Sequence, residues 1–125
     1  MAKTRILVID DEKSITDLLK SHLESAGNYQ VRAENSGPEG YQAVAEFKPD
    51  LILLDIMMGG MTGDAFAAKL RADPSFYRTP IVFLTGLVTK EEIKMQGGIV
   101  AGYPYLAKPI LMNELVNCVE ANLRK

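Results

Sequence analysis

Five polar residues stand directly behind short apolar runs. Asp10-Asp11 follows Ile6 to Ile9, Asp55 follows Leu51 to Leu54, Thr85 follows Ile81 to Leu84, and Lys108 follows the weaker run Tyr103 to Ala107. Their types form one chemical set. Carboxylates brought together repel each other and raise each other's pKa, which a cation relieves. A carboxylate can also act as a nucleophile toward phosphorus. A lysine and a hydroxyl can neutralise and hydrogen-bond developing oxyanion charge. Polar residues often follow strands because turns begin there. Turns alone do not call for three acids, a hydroxyl and a lysine in this order.

These residues can act together only if the runs lie side by side. None of the runs alternates polar with apolar, which suits strands buried on both faces of a parallel sheet. A fifth, poorer run, Gln30 to Ala33, reads as an edge strand. Helical patterns separate the runs. Ile15, Leu18, Leu19, His22, Leu23 and Ala26 recur at helix spacing, and Gly27 is a good stop. Ser36-Gly37-Pro38-Glu39 has the form of a capping box, opening a helix that ends near Phe47, before Lys48-Pro49. Asp64 to Leu70 is a third helix, closed by Asp73-Pro74. Thr89-Lys90-Glu91-Glu92 is another capping box, and its helix is short because Gly97-Gly98 interrupts it. Leu111, Leu115, Val116, Val119 and Leu123 line one face of a last helix. Five strand–helix units predict a doubly wound α/β sheet. Such sheets bind ligands beyond the carboxyl ends of their strands, where the polar residues fall.

The 125 residues amount to one domain. With 47% hydrophobic and 24% charged residues the chain is too apolar for disorder. Fourteen basic against sixteen acidic residues give a net charge of −2, without the basic excess of a nucleic-acid binder. One cysteine allows no internal disulfide and suits a reducing compartment. No run approaches membrane-spanning length, and the Met1-Ala2-Lys3-Thr4-Arg5 start lacks the apolar stretch of a signal peptide. The expectation is a small cytoplasmic domain.

Val8-Ile9-Asp10-Asp11-Glu12, Asp50 to Met58, Leu84-Thr85 and Tyr105-Leu106-Ala107-Lys108-Pro109, in this order and spacing, resemble the receiver domain of two-component response regulators. The resemblance covers the whole chain. It implies a flavodoxin-like sheet of order 2-1-3-4-5. In that order the strands ending in Asp10-Asp11, Asp55, Thr85 and Lys108 are consecutive, about 4.8 Å apart. Their side chains would then converge on one shallow pocket.

The resemblance implies that Asp55 accepts a phosphoryl group from a histidine kinase or histidine phosphotransfer protein. Oxygen-only ligands on a partly open site suit Mg2+. Asp11 and Asp55 are assigned as direct ligands and Asp10 as a ligand through water. The family also uses the backbone carbonyl two residues past the acceptor, here Met57. Lys108 and Thr85 would hold the phosphoryl oxygens, and the Lys108-Pro109 bond is expected to be cis, as X–Pro bonds allow. Tyr105 would turn inward on phosphorylation. The fourth helix, fifth strand and fifth helix would form the face that a downstream protein reads. The chain would thus be a signalling module rather than an enzyme, catalysing only its own phosphorylation and dephosphorylation. Residues 1–125 would form one receiver with no output domain, acting through a protein partner without direct DNA binding, as a monomer or a phosphorylation-dependent dimer. A receiver excised from a larger regulator or hybrid kinase would look the same.

Departures from the family pattern also matter. The loop after Asp55 carries Gly59-Gly60 where a proline is usual, which frees its backbone. Ala101-Gly102-Tyr103-Pro104 is one residue shorter than usual and carries an unusual proline. Met57 and Leu87 occupy the two variable positions beside the phosphoryl site. Both are apolar, so they are expected to shield the group and slow its loss. His22 reads as a packed helix residue, Cys118 as a small filler, and the methionines give no soft-metal spacing. A dehalogenase-type phosphatase fits poorly, because Asp55-Ile56-Met57 lacks a second acid and follows the third strand. A non-phosphorylated scaffold fits poorly too, because all five key residues are retained.

Overall fold

The computed structural model describes residues 3–100 and 102–123, so Met1, Ala2 and Ala101, read above, lie outside the described residues. The elements follow in the order β1 (Thr4–Ile9), α1 (Lys13–Ala26), β2 (Tyr29–Glu34), α2 (Gly37–Phe47), β3 (Leu51–Asp55), α3 (Gly63–Arg71), β4 (Ile81–Thr85), α4 (Lys90–Met95), β5 (Ile99–Val100), β6 (Tyr103–Ala107) and α5 (Met112–Leu123). The strands form one sheet in the order β2-β1-β3-β4-β6-β5. All neighbours are parallel except β5 and β6.

The uninterrupted apolar runs reflect burial on both faces. Ile6, Leu7, Val8, Ile9, Leu51, Ile52, Leu53 and Leu54 are all fully buried. Their side chains alternate between two separate cores. Leu7, Ile9, Ile52, Leu54 and Phe83 pack against Val44 of α2 and Phe66 and Leu70 of α3. Ile6, Val8, Leu51, Leu53 and Val82 pack against Leu19 and Leu23 of α1 and Leu115 and Val119 of α5. Each such side chain contributes roughly 1.5–3 kcal/mol of apolar burial.

The helices start where their caps dictate. Ser36, Thr62 and Thr89 each accept the amide of the residue three positions on, an arrangement worth about 1 kcal/mol apiece. Thr89 and Glu92 complete the reciprocal capping box. At α2 the Ser36 hydroxyl takes the Glu39 amide and donates to the Glu39 carboxylate. Pro38 lies in the first turn of α2, where its missing N–H costs nothing.

The strand order expected as 2-1-3-4-5 is present, with one addition. The run Tyr103 to Ala107 is the sixth strand, because Ile99–Val100 forms an antiparallel strand before it. Gly97 and Gly98, at φ 70° and 82°, end α4 and turn the chain into that strand. Three residues placed on apolar helix faces are exposed instead, Ala26 at the end of α1 among them. Leu18 is 52% exposed, because the buried stripe of α1 follows Ile15, Leu19 and Leu23 at a spacing of four. Leu111 is 50% exposed, because α5 begins only at Met112.

Candidate functional site

Register carries the five polar residues to one edge. Ile9 pairs with Leu54, so the next residues, Asp10 and Asp55, lie level on adjacent strands. Asp55 pairs with Leu84, which places Thr85 one step further. Thr85 pairs with Ala107, and the Lys108 amide donates to the Thr85 carbonyl at 2.7 Å. The Lys108–Pro109 peptide is cis.

Three of these residues share a local device. Asp10 Oδ1 accepts the Glu12 amide at 2.9 Å, Asp55 Oδ1 accepts the Met57 amide at 3.2 Å, and Thr85 Oγ1 accepts the Leu87 amide at 3.0 Å. Each strand-end side chain thereby fixes its own rotamer and the turn that follows. Gly63 brings the start of α3 against this turn, with its amide donating to the Ile56 carbonyl at 2.9 Å. A Cβ at Gly63 would lie 2.7 Å from Ile56 Cα and 2.9 Å from the Asp55 carbonyl oxygen.

The electrostatics follow from burial. Asp10, Asp55 and Thr85 are buried, while Asp11 is exposed at the rim. Lys108 Nζ lies 2.8 Å from Asp10 Oδ2, 3.7 Å from Asp55 Oδ2 and 3.8 Å from Glu12 Oε1. Burial pushes the Asp55 carboxyl up to about 6, helped by the Asp10 and Asp11 charges and opposed by the Met57 amide and Lys108. Burial alone would lower the Lys108 ammonium; the close contact and charge of the Asp10 carboxylate, with the charges of Asp55 and Glu12, outweigh it and raise the pKa.

The carboxylates of Asp10, Asp11 and Asp55 each offer an oxygen within 4.8 Å of the others. Asp10 Oδ2 is fully buried, and its contact with Lys108 is an ion pair that falls short of a well-directed hydrogen bond. An all-oxygen set with an under-satisfied buried carboxylate fits a hard divalent cation such as Mg2+. An open cleft of about 480 Å3 lies above it, lined by Asp11, Glu12, Asp55, Met57, Gly86, Leu87 and Lys108. Met57 and Leu87 are 57% and 68% exposed at its mouth. Tyr105 is buried, its ring 5.1 Å from Phe83, which also meets Tyr103 at 5.0 Å.

Residues 6–120 match the family described as the response regulator receiver domain. The chain belongs to this family. It is 37% identical over 125 residues to the phosphate regulon transcriptional regulatory protein PhoB of Pseudomonas aeruginosa. That alignment covers all of this chain and 54% of PhoB, so the chain spans about half the length of such relatives. The chemotaxis protein CheY4 of Vibrio cholerae superposes with a TM-score of 0.82 at 29% identity, over 97% of this chain and 99% of that one. The receiver domain of the sensor histidine kinase PA1611 from P. aeruginosa gives 0.82 at 25% identity, over 99% and 100%. That structure holds a magnesium ion coordinated in its active-site cleft. The chain is therefore a receiver of the two-component signalling type with a flavodoxin-like fold, a signalling module by family.

Sequence reasoning overlooked Asn35. Its side-chain amide donates to the Asp10 carbonyl at 2.8 Å and to Thr16 Oγ1 at 3.0 Å. The only signal was its position, directly after the edge strand and level with Asp10.

Proposed function

We propose that this receiver takes a phosphoryl group onto Asp55 from a phosphohistidine of a kinase or phosphotransfer protein. A carboxylate oxygen of Asp55 bonds to phosphorus as the P–N bond breaks, and the imidazole leaves with the electron pair and takes up a proton. The observation that carries this reading is Lys108 beside two buried carboxylates at the floor of an open cleft. Asp55 Oδ1 is occupied by the Met57 amide, whereas Oδ2 faces Lys108. Phosphoryl transfer depends chiefly on placement and charge neutralisation, which these groups provide.

Asp11 and Asp55 would hold Mg2+ directly, with the Met57 carbonyl. Asp10 would act through water, its Oδ1 being taken by the Glu12 amide. The ion would supply positive charge opposite the phosphoryl oxygens. Lys108 and the Thr85 hydroxyl would bind those oxygens, and Met57 and Leu87 would restrict water at the mouth.

The added charge of roughly −1.5 to −2 would be read on the α4–β6–α5 face, a groove of about 290 Å3 that includes Lys90, Ile93, Tyr105 and Glu114. Lys90 and Glu114 join α4 to α5 at 3.1 Å. We assign the switch to Thr85 and Tyr105, and the reader to a downstream protein, with the receiver a monomer or a phosphorylation-dependent dimer. A cytoplasmic location accords with the described residues, in which no helix is long and apolar enough to cross a membrane. Incubation with phosphoramidate and Mg2+ should add one phosphoryl group by intact mass, lost in Asp55→Asn. Unchanged labelling in that variant would defeat the reading.

A further inference from the structure

Asn35 lies one residue beyond β2 and lines no part of the cleft. Its amide nonetheless reaches the loop that carries two of the three carboxylates. Both acceptors, the Asp10 carbonyl and Thr16 Oγ1, accept hydrogen bonds from Nδ2, which fixes the orientation of the amide. Thr16 is fully buried, and its hydroxyl donates a hydrogen bond to the Lys13 carbonyl at 3.1 Å. The chain from Asn35 therefore runs through Thr16 to the first residue of α1.

Asp10 is consequently gripped on both backbone groups from the β2 side. Its amide donates to the Glu34 carbonyl at 3.2 Å, and its carbonyl accepts from Asn35 at 2.8 Å. The regular β1–β2 ladder ends at Ile9 and Glu34, so Asn35 supplies the donor that the strand no longer offers. Without it, the carbonyl of a fully buried residue would lose this partner, and the turn at Asp10-Asp11 would be held less firmly, by the Asp10 amide and Oδ1 contacts. With the backbone pinned and the Glu12 amide on Oδ1, Oδ2 is left facing Lys108.

We infer that Asn35, buttressed by the Thr16 hydroxyl, is a positioning residue that orients Asp10 and its loop for divalent-cation binding. This rests on the phosphoacceptor reading of the same cleft. Groups that orient metal ligands from behind typically change metal affinity 10–100-fold when removed.

The test is a calorimetric Mg2+ titration of the metal-free full chain, alongside its Tm and the exchange rate of the Glu12 amide. Asn35→Ala should weaken Mg2+ binding about tenfold and speed Glu12 exchange before any metal is added. Thr16→Val should weaken binding in the same direction, and Thr16→Ser should restore it. Val31→Ala, a buried truncation on the same strand, should lower the Tm and leave Mg2+ affinity alone. Affinities within about twofold of wild type in Asn35→Ala and Thr16→Val would overturn the inference. So would an equal loss in Val31→Ala. Should Asn35→Ala not fold, the Thr16→Val and Thr16→Ser pair decides: equal affinities overturn the inference, and recovery by serine supports it. A wild-type chain that takes no Mg2+ would defeat the phosphoacceptor reading itself, and this inference with it.

Discussion

The Lys108 ammonium is paired with Asp10, at 2.8 Å, more closely than with Asp55, at 3.7 Å. Its charge therefore stabilises the buried acid first and remains within reach of the acceptor. A phosphoryl group on Asp55 would compete with Asp10 for the same cation.

Removing that cation should cost stability before it costs chemistry. Lys108→Met leaves Asp10 buried without its counter-charge, and breaking such a pair costs about 3 kcal/mol. The lysine is 17% exposed, so solvent softens the loss. Urea unfolding should show the deficit, and Mg2+ should recover part of it. No change in midpoint would mean that the pair contributes nothing.

Asp55 gives the metal-free protein a defined pH response. Its folded pKa, about 6, stands above the ordinary value of 3.8. Between these values the folded state holds a proton that the unfolded state has released. The Asp55 contribution is thus fully present below about pH 3.8 and is lost as pH rises through about 6. The amount is on the order of 2–3 kcal/mol. Asp55→Asn should remove this slope and be the more stable protein at neutral pH without metal. Mg2+ binding near pH 5 should release a proton in wild type, measurable by calorimetry in buffers of different ionisation enthalpy. Parallel stability–pH curves for the two proteins would contradict the assignment.

The exposed pair at the cleft mouth should control the lifetime of the phosphoryl group. Met57→Asn with Leu87→Glu introduces groups able to hold a hydrolytic water, and loss from phospho-Asp55 should accelerate about tenfold or more. The decay of the phosphorylated species by intact mass reads this directly. An unchanged lifetime would remove the shielding role.

Gly63 should be far less replaceable than Gly59. A Cβ at Gly63 meets backbone on two sides, at 2.7 and 2.9 Å, and backbone cannot rotate away. Gly63→Ala should cost about 1–3 kcal/mol and displace the Asp55 turn, weakening Mg2+ binding. Gly59→Ala meets nothing within 4 Å and should change the midpoint little. Equal behaviour of the two variants would show that the α3 contact yields easily.

The convergence of the candidate site was legible because Asp10, Asp55, Thr85 and Lys108 each stand at the end of an apolar run. Once the runs are strands in the order β1-β3-β4-β6, the parallel register brings Asp10 and Asp55 level, with Thr85 and then Lys108 each one step further along. The hairpin was less legible. Gly97-Gly98 signals a helix stop in any context, but only the space beside Tyr103–Ala107 determines that Ile99 and Val100 turn back against it. Leu18, Ala26 and Leu111 lie off the buried faces because periodicity ranks faces and not depth, and helix ends blur the phase. Asn35 escaped notice because a polar residue after an edge strand looks like any turn former. Its partner is a backbone carbonyl 25 residues earlier in the chain.

The antiparallel hairpin has a consequence for association. An open sheet edge invites another strand to pair with it, and chains avoid this with short, charged or proline-bearing edges. Without β5, that border of the sheet would be five-residue β6, interrupted by Pro104, which has no amide proton to offer. Instead it is a two-residue strand preceded by Gly97 and Gly98. The opposite border, β2, carries Arg32 locked to Glu34 and Glu46 at 2.8 Å each. Both rims of the sheet are thereby made poor templates for aggregation.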